Sequence, residues 1–192
     1  MNNYILSDNA DWFSHAQPLF TQYLQSYIDQ PVHFLEIGSF EGRSAIWMLE
    51  NILTHSNASL TCIDPWQFND TQLQSVFKNF QHNVSVFDDK VTYHQGRLID
   101  RVSYLPSHYY DFIYIDGNHY GKDILLDAVL SFDLLKPNSI MAFDDYKFTM
   151  EEHVDQCLPQ KAIDAFLSVY NEYITIIYKQ YQVWIKKNTK NT

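Results

Sequence analysis

The sequence predicts an α/β fold: one mostly parallel sheet with helices on both faces. Short apolar runs that stop at Gly, Asp or Pro alternate with longer stretches whose apolar residues recur at helical spacing. Two strand-like stretches follow each other near the end with almost no connector, the pattern of an antiparallel hairpin closing a sheet edge. At 192 residues, 46% of them hydrophobic, the chain is long enough for one domain with a real core and too apolar to be disordered.

The elements follow in order. Residues 11–30 carry Phe20, Leu24 and Tyr27 or Ile28 at helical spacing, giving one helix or two with a break near Pro18. HFLEIG is a buried strand. EGRSAIWMLENIL places Ala45, Met48, Leu49 and Ile52 on one helical face. LTCIDP is a second buried strand, stopped by Pro65. TQLQSVFKNFQHNV reads as a helix, VTYHQG as a strand, LIDRVSYL as a short helix and YDFIYIDG as a fourth strand. KDILLDAVLSFDLL aligns Leu125, Ala128, Phe132 and Leu135. SIMAFDD is a fifth strand, and QKAIDAFLSVYN aligns Ile163, Phe166 and Tyr170. YITIIYKQYQVWIKK supplies the hairpin. The expected organisation is an N-terminal helical segment over 1–30, the main domain over 31–187 and a frayed tail over 188–192.

Charge narrows the partners. The formal net charge of -10 repels phosphate backbones, so a small-molecule partner is expected and a large nucleic-acid footprint is not. No basic leader with an apolar run opens the sequence, and no apolar run reaches membrane-spanning length, so a cytoplasmic setting without membrane contact is expected. Cys62 lies in an apolar run and reads as a core residue. Neither it nor Cys157 has the neighbours of a zinc site.

In parallel sheets ligands gather beyond the carboxyl ends of the strands, near the switch in strand order. The loop after the first strand reads LEIGSFEGRSAI. Gly38 and Gly42 permit a tight turn and close backbone approach, and the helix start offers free amides. The spacing is neither GxGxxG nor GxxxxGK[ST], and no phosphate-binding Lys is present. Instead Glu36 precedes the loop, which disfavours pyrophosphate and suits a cationic ammonium or sulfonium. A plain strand–helix turn with two glycines is the alternative. Asp64 ends the second strand, where a carboxylate can accept ribose hydroxyls, and Trp66 can pack on a base. A turn acid before Pro65 and ordinary packing are the alternatives.

Read together, LEIGSFEGRSAIWM, LTCIDPW, VTYHQG, YDFIYIDGNHY and LLKPNSIMAFDDY resemble, in order, class I S-adenosylmethionine-dependent methyltransferases. More narrowly they resemble the bacterial O-methyltransferase-like group that includes macrolide-sugar and aminocoumarin methyltransferases. The resemblance spans about residues 33–146 and is most specific in IDGNHY paired with the distal KPNSIMAFDDY. It implies a Rossmann-like seven-stranded sheet with its last strand antiparallel. It implies S-adenosylmethionine as cofactor, with Glu36, Gly38, Ser39 and Gly42 at its methionine end. Ser44 and Asp116 are further cofactor contacts, Asp64 takes the ribose, and Trp66 and Gln95 lie near the adenine. The chain departs from the family pattern at Arg97, Asn118 and Asn138. Asn tolerates a left-handed conformation, so the turn at 138 can survive.

Asp116, Asp144 and Asp145 end the fourth and fifth strands. If those strands are neighbours, their ends lie about 5 Å apart, and the crowding raises at least one pKa or recruits a divalent cation such as magnesium. In the resembling enzymes aspartates at these positions bind magnesium. Successive strand residues face opposite sides, so Asp144 and Asp145 share a site only if the chain turns there. Otherwise Asp145 caps a loop. His119 and Asp116 are the catalytic candidates, His119 as proton acceptor or substrate contact, with capping or packing as its alternative. The reading is methyl transfer to a hydroxyl of a small molecule, assisted by a divalent metal. The competing reading is a non-catalytic cofactor- or partner-binding domain on the same fold. The N-terminal helix and the C-terminal hairpin are two surfaces on which a homodimer could form.

Overall fold

A computed structural model describes residues 3–7, 11–67, 75–149 and 157–189. Seven strands form one sheet in the order β3-β2-β1-β4-β5-β7-β6. These are β1 (His33–Ile37), β2 (Ser59–Asp64), β3 (Val91–Gln95), β4 (Tyr110–Ile115), β5 (Leu135–Phe143), β6 (Ile174–Lys179) and β7 (Val183–Lys187). The first five are parallel to one another; β7 runs antiparallel to both β5 and β6. The α/β architecture and the closing hairpin are therefore those the sequence predicts. The order reverses at β1, between β2 and β4, so ligand-sized space is expected above that junction.

Strand alternation sorts the core into two layers. Phe34, Cys62, Phe112, Tyr114, Ala142 and Trp184 face a cluster with Phe20, Leu24, Met48 and Phe80. These come from α1 (Gln17–Leu24), α2 (Arg43–Asn51) and α3 (Val76–Val84). Leu35, Ile37, Ile113, Ile115, Met141 and Phe143 face the other cluster with Leu98, Ala128, Ile163 and Phe166. Those belong to α4 (Leu98–Arg101), α5 (Gly121–Leu134) and α6 (Pro159–Val169). Period two places Glu36 on the face of Phe34, and Asp144 on the face of Ala142. Register then sets Glu36 beside Cys62 on one side and Tyr114 on the other.

Two boundaries differ from the sequence reading. Pro18 does not break the helix; it sits in the first turn of α1, where a missing amide costs nothing, and a separate 3-10 turn over Ser14–Ala16 precedes it. Strand β5 begins at Leu135 rather than Ser139. Lys136 Nζ is held by both oxygens of Asp111 on β4 at 2.8 Å, and Asn138 takes a φ of 63°, so the chain stays on the sheet through a register shift. The start of the third expected helix, at 71–74, lies outside the described residues; its described part is α3. Among the described residues no helix is long and apolar enough to cross a membrane.

Candidate active site

The loop from β1 to α2 wraps two buried acids. Glu36 is fully buried. Its oxygens accept the Ser39 hydroxyl at 2.6 Å and the Ser44 hydroxyl, and the Cys62 thiol lies 3.6 Å away. Among the described residues no Lys or Arg pairs with it, and burial pushes its carboxyl up to about 7. Asp64, at the tip of β2, accepts the successive amides of Ser39 and Phe40 on one oxygen, at 2.9 and 3.0 Å. Its other oxygen accepts the Trp66 amide at 2.6 Å. The positive φ of Phe40, 47°, aims these amides at the acid. Burial still raises the Asp64 carboxyl against these three N–H groups.

The two glycines answer to the protein's own packing. A β-carbon on Gly38 would stand 1.9 Å from the Asp116 carbonyl oxygen, so only glycine lets the tips of β1 and β4 meet; its φ is 87°. A β-carbon on Gly42 would stand 3.1 Å from the Phe80 ring. Trp66 is 6% exposed, with its ring among Phe77, Phe80 and Tyr93 and its Nε1 donating to the Phe40 carbonyl. It braces the loop from inside the core instead of offering a free face to a base. Gln95, at the tip of β3, donates to the Pro65 carbonyl and takes Arg101 on its own.

At the tips of β4 and β5 the acids crowd each other. Asp144 accepts the Tyr114 hydroxyl, which it meets because Tyr114 and Asp144 share a sheet face, and the Asp145 amide at 2.7 Å. Asp145 takes a φ of 57°, the turn that brings both acids to one rim. Its oxygens accept His119 Nε2 at 2.8 Å and the Tyr181 hydroxyl at 2.9 Å. Burial, then the charges of Asp144, Asp145 and Glu36, hold the Asp116 carboxyl well above the usual range, although that residue keeps some exposed surface. Burial and Asp145 raise Asp144 likewise. The His119 ring lies 4.2 Å from that of Phe148, and its side chain is 35% exposed.

The two halves differ in what they can hold. A carboxylate offers about four lone-pair sites. Asp64 uses three on loop amides and keeps one for a hydroxyl, while Glu36 is a buried acid without a counter-charge. Both suit a ligand carrying a cationic amine and a ribose. The acids expected to bind magnesium do come to one rim. There each oxygen of Asp144 and Asp145 already accepts one hydrogen bond, from Tyr114, a backbone amide, His119 or Tyr181, so a cation would share these carboxylates with the protein's own donors. Among the described residues no three His, Cys, Asp or Glu side chains are grouped as a metal would need. Tyr114 and Tyr181 are members of this site that the sequence reading does not name. Tyr114 was findable, two residues before Asp116 in a strand; Tyr181 lies in the hairpin turn and carries no local signal.

A family model described as a methyltransferase domain matches residues 35–146. The chain belongs to that methyltransferase family. Among curated proteins, none matches it in sequence. Solved structures share its fold. A Corynebacterium glutamicum protein is 18% identical over 93% of this chain and 82% of its own, with a TM-score of 0.68. The O-methyltransferase TomG of Streptomyces achromogenes, solved with S-adenosylmethionine, is 15% identical over 98% and 84%, with a TM-score of 0.62. An O-methyltransferase from Bacillus cereus, solved with S-adenosylhomocysteine, is 17% identical over 88% and 80%, with a TM-score of 0.60.

Proposed function

We infer that the chain transfers a methyl group from S-adenosylmethionine to a hydroxyl of a small molecule. The observation that carries this reading is the pair Glu36 and Asp64. They are two buried acids at adjacent strand tips, held among the described residues by hydroxyls, a thiol and amides. Glu36 would meet the cofactor's amine, with Ser39 and Ser44 orienting its carboxylate. Asp64 would accept a ribose hydroxyl, and Gln95 stands where the base would lie. Gly38 and Gly42 shape the loop, and Asp116 borders the methyl-bearing end. When bound, S-adenosylmethionine supplies an electrophilic methyl on a sulfonium.

The residues at β4 and β5 would handle the acceptor's proton. Asp145 accepts from His119 Nε2, which fixes the tautomer with that proton on Nε2 and leaves Nδ1 as a base. During methyl transfer the acceptor's hydroxyl proton would pass to Nδ1 of His119. Asp145 then faces an imidazolium, and Tyr181 holds the second oxygen of that carboxylate in place. These roles of His119, Asp145 and Tyr181 need no metal to operate.

The test is calorimetric titration of the protein with S-adenosylmethionine and S-adenosylhomocysteine, followed by a methyl-transfer screen over small hydroxylated acceptors. Micromolar binding lost in Asp64→Ala is the expected result. Absence of binding overturns the cofactor reading. Binding without turnover on any acceptor overturns the catalytic one and leaves a cofactor-binding domain.

A further inference from the structure

Residues 3–7 precede the first helical turn, yet the structure ties them to the loop between β1 and α2. Glu41 of that loop is buried. One oxygen of its carboxylate accepts the Ser7 amide at 2.7 Å. The other accepts the Ser7 hydroxyl at 2.9 Å and Asn79 Nδ2 at 2.8 Å. Asn83, on α3, is fully buried and clasps both segments. Its Oδ1 accepts the Ile5 amide at 2.7 Å, and its Nδ2 donates to the carbonyls of Ile5 and Glu41 at 2.9 and 2.8 Å. Arg43, which opens α2, reaches the Ser7 carbonyl at 3.5 Å. Further along the chain the Trp12 ring lies 5.1 Å from that of Phe40, the loop residue before Glu41.

Among the described residues no Lys or Arg pairs with Glu41. Three neutral donors satisfy this buried acid, and Ser7 supplies two of them. Release of residues 3–7 would leave that carboxylate and Asn83 Oδ1 short of donors, and a buried polar group without its partner costs stability. The loop would shed that cost by turning Glu41 to water. Phe40 stands directly before it, and the Phe40 amide serves Asp64 beside that of Ser39, while the Phe40 carbonyl takes Trp66 Nε1. A rotation at Glu41 therefore disturbs the amides that aim Asp64, which on the cofactor reading above meets the ribose. We propose that Ser7 and Glu41 are a positioning pair: the docked N-terminal segment holds the loop between β1 and α2 in its cofactor-binding shape, and the bound cofactor in turn holds the segment down. The two effects are one coupling read from either end.

The experiment titrates the full chain calorimetrically with S-adenosylhomocysteine and follows amide exchange of the wild type with and without that ligand. Ser7→Ala should raise the dissociation constant roughly five-fold or more, and Ser7→Thr, which keeps the hydroxyl, should restore it. Glu41→Gln, which keeps the shape but gives the Ser7 donors a neutral acceptor, should weaken binding at least as much. The double variant should lose less than the two single losses together, because both break one contact. In the wild type, saturating ligand should slow exchange at the Ile5 and Ser7 amides. Chain ends open locally, so slowing there reports the docked segment rather than global stability. A segment that only anchors the chain end gives a different result. Ser7→Ala then lowers the melting temperature of the ligand-free protein but leaves the dissociation constant unchanged, and ligand leaves exchange at Ile5 and Ser7 as it was. That result overturns the proposal while leaving the cofactor reading intact. Failure of the wild type to bind S-adenosylhomocysteine overturns the cofactor reading, and this proposal with it.

Discussion

The acids at the tips of β1 and β2 and those at the tips of β4 and β5 are solved in opposite ways. Glu36 and Asp64 have different donors, mostly hydroxyls and amides of the loop between β1 and α2. Asp116, Asp144 and Asp145 press on one another, and their partners come from distant segments: Tyr114 from β4, His119 from the loop before α5, Tyr181 from the hairpin. One half is a local motif, to which the proposed function gives a cationic amine. The other is a tertiary cluster in which the protein's own hydroxyls and a histidine absorb the charge. The difference teaches that neighbouring acids can be served either by one local loop or by donors gathered from across the fold.

Breaking each half separately sharpens the comparison. His119→Ala should lower kcat roughly hundred- to ten-thousand-fold, the usual worth of a general base, with the dissociation constant for S-adenosylmethionine changed less than about two-fold. A parallel loss of cofactor affinity would show that the halves are not independent. Glu36→Gln should do the reverse, weakening S-adenosylmethionine binding by roughly ten-fold or more at pH 8. In wild type that binding should tighten as pH rises through about 7, because the ionised Glu36 is the form that meets the amine.

The same residue makes a stability prediction of opposite sign. A carboxyl raised from 4.5 to about 7 on folding binds more protons folded than unfolded. Its contribution to stability is therefore intact below about 4.5 and lost as pH rises through about 7, by roughly 3 kcal/mol at pH 8. Thermal melts of the ligand-free protein should show Glu36→Gln equal to or below wild type at pH 5 and above it at pH 8. Equal melting temperatures at pH 8 would mean that Glu36 already has a cationic partner. Tyr181→Phe removes one hydroxyl from Asp145 and should cost a few-fold in kcat and about 1 kcal/mol in stability, read from turnover and urea unfolding. The smallest effect is expected from magnesium: millimolar addition or chelation should leave the melting temperature and cofactor affinity unchanged. A rise of several degrees would mean that His119 and Tyr181 give way to a cation.

Much of the fold was legible because strand and helix periods differ and the chain alternates them cleanly. The ends of elements were less so. Pro18 looked like a break because Pro ends more helix patterns than it starts, and the choice rests on which residue is first in the turn. Lys136-Pro137-Asn138 looked like a turn, and only the Asp111 carboxylate across the sheet makes it strand. In the site, Glu36 and Asp64 could be picked out because their partners lie largely in the motif that follows β1. Asp145 and His119 could be picked out too, but Asp145's other partner, Tyr181, could not. Tyr181 is 36 residues away along the chain, and no periodicity links the two. Trp66 was expected beside the adenine because it follows Asp64 in sequence; its positive φ of 45° turns it into the core instead.

Strand β7 follows β6 in the chain but lies between β5 and β6 in the sheet. Until β7 docks, β6 has no neighbour, and β5 is an open edge. The two strands therefore add to the sheet as a pair, and they leave as one. Tyr181, in their connecting turn, travels with them, and so does the Tyr181 carbonyl that accepts the Tyr146 amide. A transient opening of this hairpin would bare the edge of β5 and strip Asp145 of its second partner in a single event. Amide exchange at β5, β6 and β7 should then share one opening free energy, set below that of β1 and β4 in the middle of the sheet.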